Sequence, residues 1–187
     1  MGRKENKIQR WTSHSLGIIF FALSTQYLIS SPIDHHQERF EDVALKIWEY
    51  AELGYLEEKS SSLLQQELKA SGFTIQSGVA GIPTAFIAEY NNGGPVLGIL
   101  GEFDALPGLS QQNVPFKTAE GLSSANGHAC GHHLFGAASA WAVVAIKEWL
   151  EESGTPGTIR FYGTPAEEGG SGKVYIARDG YFDDVDI

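Results

Sequence analysis

Three short segments of this sequence gather the side chains that could do chemistry. Gly127-His128-Ala129-Cys130-Gly131-His132-His133 carries a thiol and several imidazoles. Gly163-Thr164-Pro165-Ala166-Glu167-Glu168-Gly169-Gly170 sets two carboxylates side by side among glycines. Gly101-Glu102-Phe103-Asp104-Ala105-Leu106-Pro107-Gly108 adds further carboxylates ahead of a proline. Cys130 and His132 are two apart, a spacing that sends both side chains the same way from an extended backbone, with Gly131 leaving space for a close metal. Thiolate and imidazole together suit a borderline-soft divalent ion, Zn²⁺ ahead of Mn²⁺ or Co²⁺. Adjacent glutamates at a strand end project in different directions, so one can ligate a metal while the other faces an attacking water. Metal-assisted hydrolysis needs that division: the ion lowers the pKa of the water and a free carboxylate takes its proton. Asp104 reads either as the cap of the turn at Pro107 or as a carboxylate that orients a metal ligand from behind. Two other readings stay open. Cys130 can be an ordinary buried thiol, or a nucleophile with a histidine as base, although the second leaves the glutamates without a role.

Such residues work only if the fold brings them together. Residues 37–53 place Phe40, Val43, Ala44, Ile47, Trp48 and Ala51 at three- and four-residue spacing, which predicts an amphipathic helix. Ser60 to Ala70 repeats the pattern and stops at Ser71-Gly72. Strands are predicted over 84–90, 95–100 and 158–162, with a strong turn at Asn91-Asn92-Gly93-Gly94. Residues 133–150 and 171–178 read as helices, and 105–127 as a long Gly/Pro/Ser loop. Strand, helix, strand in that order predicts an α/β fold with a mixed, largely parallel sheet flanked by helices. In such sheets ligands bind beyond the carboxyl ends of the strands, where the three segments fall.

Composition narrows the classes. The 187 residues carry 13 Lys and Arg against 23 Asp and Glu, a net charge of −10, so no basic field exists for nucleic acid. Cys130 is the sole cysteine, which excludes an intrachain disulfide. Arg3, Lys4, Lys7 and Arg10 precede the apolar run Leu16 to Leu23 and the step Ala22-Leu23-Ser24. This reads as a signal peptide and lead-in over 1–31, too short to serve as an integral membrane span. Export to the periplasm or outside the cell is the expectation if that signal operates, and a cytoplasmic location otherwise.

The run Gly101 to Pro107, then His128-Ala129-Cys130-Gly131-His132, then Pro165-Ala166-Glu167-Glu168-Gly169 resembles the metal-dependent amidohydrolase/aminoacylase branch of the dinuclear-zinc peptidases. Within it, Gly101 to Leu109 with Ser110-Gln111 is most similar to the p-aminobenzoyl-glutamate hydrolase group. The resemblance spans about residues 36–187 and implies Cys130, His132 and Glu168 as metal ligands, Glu167 as general base and Asp104 as the supporting carboxylate. It implies two divalent ions, Zn or Mn, in a complete site, and hydrolysis of an amide in N-acyl amino acids or p-aminobenzoyl-glutamate-like conjugates. It also implies a homo- or heterodimeric full-length form. His133 departs from the Asp or Asn usual after Cys-Gly-His in that family. The family's catalytic domain continues with further histidines and carries a dimerisation domain. Residues 32–187 are therefore expected to be the amino-terminal part of that catalytic domain, inactive alone. The alternative is a non-catalytic metal-binding module acting with a partner subunit.

Overall fold

The computed structural model describes residues 33–116 and 125–187. The expected signal segment 1–31, and the middle of the expected loop 105–127, lie outside the described residues.

Helix α1, Gln37–Tyr50, buries Phe40, Val43, Ala44 and Ile47 along one stripe. It stops three residues sooner than its periodicity predicts, because Ala51 turns left-handed (φ 41°) and donates its N–H back to Ile47 O. Helix α2, Glu58–Ala70, buries Leu64 and Leu68 and ends at Ser71, whose N–H bonds the carbonyls of the last turn. Strands β1 (Thr74–Ser77), β2 (Phe86–Asn91), β3 (Val96–Gly101) and β4 (Thr158–Gly163) form one sheet. Helix α3, His132–Ser153, links β3 to β4, and α4, Gly172–Arg178, follows the short helical turn Glu167–Gly170. β1 and the single turn of 3₁₀ helix at Val79–Gly81 carry too few residues to show a period, so the sequence pattern does not predict them.

The sheet order is β1-β2-β4-β3, with β1–β2 and β2–β4 antiparallel and β3–β4 parallel. The α/β architecture with flanking helices is as expected, but among the described residues the pairing is more antiparallel than parallel. The reason is the reversal at Asn91–Pro95: β2 and β3 run in opposite directions, and β4 inserts between them instead of outside them.

Strand alternation sorts the core onto two faces. Phe86, Ala88, Ile159 and Phe161 pack with Phe40, Ile47, Leu64, Leu68, Val143 and Val144 under α1, α2 and α3. Ile87 and Tyr162 face the other way, against Val79, Ile82 and Ile176 of α4. Among the described residues no helix is long and apolar enough to cross a membrane.

One pairing matters most. In the parallel register Gly101 lies opposite Gly163, so β3 and β4 end together and their outgoing loops leave side by side. Thr164 locks them by donating its N–H (2.9 Å) and its hydroxyl (3.1 Å) to Gly101 O.

Candidate metal centre

The loops leaving β3 and β4 meet the start of α3. Gly136, one turn into that helix, lies so close to the β3 loop that an added Cβ would stand 2.4 Å from Glu102 O. Only glycine allows that approach, and it brings His132 against Asp104. Leu106 exchanges both backbone hydrogen bonds with Gly127 (2.9 Å each), which pins the Cys/His loop to the Asp104 loop. Gly131 takes φ +78°, where L side chains are strained, and starts α3 immediately. Cys-Gly-His is therefore a left-handed turn into a helix and not an extended pair. A Cβ on Gly131 would meet nothing within 4 Å, so the glycine answers a backbone demand, not the need for space beside a metal.

Asp104 is the hub. It is 1% exposed. Its Oδ1 accepts the His132 Nδ1–H at 3.0 Å, and its Oδ2 accepts the Glu168 N–H at 2.8 Å. Burial pushes its carboxyl upward, but the hydrogen bonds from His132 and Glu168 outweigh that and hold it below the usual carboxylate value. On the far side of the ring, His132 Nε2 lies 2.9 Å from Glu102 Oε2, and Glu102 is in turn ion-paired to Lys173. The hydrogen bond to Asp104 raises the His132 pKa against the opposing effect of burial. With Nδ1–H committed to Asp104, Nε2 is the nitrogen on offer to a metal.

Glu167 and Glu168 part as the sequence predicts, through backbone geometry it does not show. Ala166 is left-handed (φ 56°, ψ 45°) and Gly169 is at φ 77°. Glu168 is half-buried, and its Oε1 is enclosed with no hydrogen-bond partner. Glu167 is exposed, with an oxygen 3.9 Å from His132 Nε2. Cys130 is exposed, and its hydrogen bond to Glu168 pushes the thiol pKa up.

Donor atoms of Cys130, His132 and Glu168 all lie within 4.8 Å of one another, as do those of Glu102, His132 and Glu167. A thiol, an imidazole nitrogen backed by a carboxylate, and a buried carboxylate oxygen lacking any partner suit a thiophilic divalent ion. Sequence reasoning gives Glu102 no role, although its two-residue offset from Asp104 is a usable sign that both flank the same group. The ion pair from Lys173 to Glu102 carries no local sequence signal.

The model of peptidase family M20/M25/M40 matches residues 98–187. The chain is 46% identical over 158 residues to a subunit of p-aminobenzoyl-glutamate hydrolase from Escherichia coli (strain K12), an alignment covering 84% of this chain and 33% of that protein. It is 33% identical over 172 residues to the Xaa-Arg dipeptidase of Homo sapiens, covering 83% of this chain and 35% of that one. Among solved structures it is similar to the Bacillus subtilis YxeP protein, a dinuclear metal binding peptidase from the M20 family. There the TM-score is 0.68 at 26% identity, over 81% of this chain and 41% of that one. The chain thus spans about a third of the length of these curated relatives.

Proposed function

The chain belongs to peptidase family M20/M25/M40, and from that premise we propose that it serves metal-dependent hydrolysis of an amide bond in N-acyl amino acids or p-aminobenzoyl-glutamate-like conjugates. The observation that carries this reading is the convergence of Cys130, His132 and Glu168, with Asp104 behind His132 and Glu167 exposed beside Glu168. Cys130, His132 and Glu168 would hold the ion, and the thiolate favours zinc over manganese. When bound, a divalent ion lowers the pKa of water and polarises an amide carbonyl. Asp104 keeps the Nδ1 proton on His132 and so commits Nε2 to ligation. Glu167, free of that duty, takes the proton from the attacking water and returns it to the leaving amine.

The test is hydrolysis of p-aminobenzoyl-glutamate and N-acyl amino acids, with chelation and Zn²⁺ or Mn²⁺ add-back, by this chain and by a longer polypeptide containing it. Glu167→Gln should lower kcat by about 10²–10⁴-fold while leaving metal affinity intact. Full activity in that variant would remove Glu167 as the base. Activity that survives chelation would point to Cys130 as nucleophile.

A second reading is favoured by the ligand count. Both donor groups among the described residues use His132, so they cannot serve two ions independently. Metal binding with no turnover at any loading would make this chain a metal-binding module that works with a partner subunit. The family relationship supports a dimeric working form, and the basic, apolar start of the chain supports export to the periplasm or beyond. N-terminal sequencing of the protein from its own cells tests the latter.

A further inference from the structure

The Glu167–Glu168 pair hangs from a conformation that alanine rarely adopts, since Ala166 sits at φ 56°. One segment, residues 52–57, meets that turn from below at several points. The Ala166 N–H donates to Glu57 Oε1 at 2.8 Å. Glu57 is 0% exposed, and its other oxygen accepts the Thr84 hydroxyl at 3.1 Å. Tyr55 donates its hydroxyl to Gly170 O at 2.5 Å, on the far side of the pair. Gly54 packs against Ala166 so closely that an added Cβ would lie 3.0 Å from the alanine Cβ. The same segment grips the other loop, because Glu52 O accepts the Ala105 N–H at 2.8 Å and Leu53 bridges to Ala105. Both site loops are thus referenced to one short piece of chain between α1 and α2.

We propose that Glu57 is a positioning residue for the Glu167–Glu168 pair. Its buried carboxylate, by accepting the Ala166 N–H, holds the left-handed turn that sends Glu168 toward Cys130 and leaves Glu167 facing solvent. The inference rests on the metal-centre reading above for its consequence, but not for the hydrogen bond itself. A carboxyl group suits the task because it offers two acceptor oxygens, one for the Ala166 N–H and one for the Thr84 hydroxyl. It is buried because exposure would let water compete for the same donor. Glu57 acts through Glu168 and Glu167 and touches neither a metal nor a substrate.

The experiment compares the 187-residue chain with Glu57→Gln, Glu57→Asp, Thr84→Val and the double variant Glu57→Asp/Ala166→Gly. Two readouts are taken: amide hydrogen exchange at Ala166 and Glu168, and affinity for Co²⁺ followed by its thiolate-to-metal absorption. Asp is one methylene too short to reach Ala166, so its amide should exchange at least about tenfold faster. Co²⁺ affinity should fall by about 10–100-fold, as for loss of other groups that orient metal ligands. Gln keeps the acceptor oxygen and should stay within about threefold of the parent in both readouts. Thr84→Val removes a partner of Glu57 without touching Ala166, so it should lower stability and move neither readout. The added Ala166→Gly removes the left-handed strain and should restore part of the lost affinity.

Unchanged exchange and affinity in a folded Glu57→Asp chain overturn the proposal. So does a Thr84→Val effect as large as that of Glu57→Asp, which would mean general packing. A Glu57→Asp chain that fails to fold and is not rescued by Ala166→Gly also counts against it. Absence of the thiolate band in the parent chain would defeat the metal reading instead, and amide exchange would still decide the role of Glu57.

Discussion

His132 is the most constrained side chain of the centre, with Asp104 on one ring nitrogen and Glu102 on the other. Its neighbours behave differently. His128 donates Nε2–H to Ile47 O at 3.0 Å and burial lowers its pKa, while burial together with His128 and His132 pushes His133 down to about 4. Their rings lie 5.0 Å apart with a buried, unpartnered Nδ1 on each. The sign of the pH effect follows. Between about pH 6.5 and about pH 4 the unfolded His133 binds a proton that the folded one refuses, so its contribution is complete above pH 6.5 and is lost as pH falls. Urea midpoints at about pH 7 and about pH 5 should therefore drop further for the parent than for His133→Asn. Equal drops would show that another group carries the acid sensitivity. Residue types, and the parting of the Glu167 and Glu168 side chains into an exposed and a half-buried one, were legible in the sequence because adjacent residues at a strand end point different ways. Glu57 was not, since a glutamate in a run with Glu58 and Lys59 looks like solvated surface until its burial is seen.

At the scale of elements, helices were the easiest to read. Apolar residues at i, i+3, i+4 and i+7 in α1 fall on the buried stripe because a helix repeats every 3.6 residues. The turns that aim the candidate ligands were misread or missed, since they depend on positive φ angles that a residue spacing does not reveal. Gly131 is the cleanest case. Alanine there meets no atom, so Gly131→Ala should cost only the left-handed backbone penalty, about 1–2 kcal/mol. If the turn relaxes to relieve it, His132 swings away from Asp104 and metal affinity falls further than stability does. Calorimetry with Zn²⁺ alongside thermal melts separates the two. A variant with unchanged melting and affinity would show that the angle is not needed. Gly136→Ala is a different kind of lesion, because its Cβ would strike Glu102 O and push α3 off the β3 loop.

For the whole molecule, the centre is carried by a sheet whose aromatic core lies directly beneath it. Phe86 and Phe161 have ring centroids 5.6 Å apart, and Phe86 and Phe103 6.3 Å, all buried. Gly163 and Gly101 are notches for these rings: added Cβ atoms would come within 2.1 Å of Phe86 and 2.5 Å of Phe161. Phe161→Ala should cost about 3–5 kcal/mol in denaturant unfolding, from the lost ring and the void it leaves. A loss below about 1 kcal/mol would mean that the layers above the sheet can close over the gap. The sequence by itself determined which donors exist, their order along the chain and their place after strands. Helix and strand periods are local, and functional groups declare their own chemistry. Only the tertiary structure decided that β4 lies between β2 and β3, that Asp104 joins His132 to Glu168, and that residues 52–57 brace both loops. Those contacts link positions as far apart as Glu57 and Ala166, and they form only when burial on both faces of the sheet drives distant segments together.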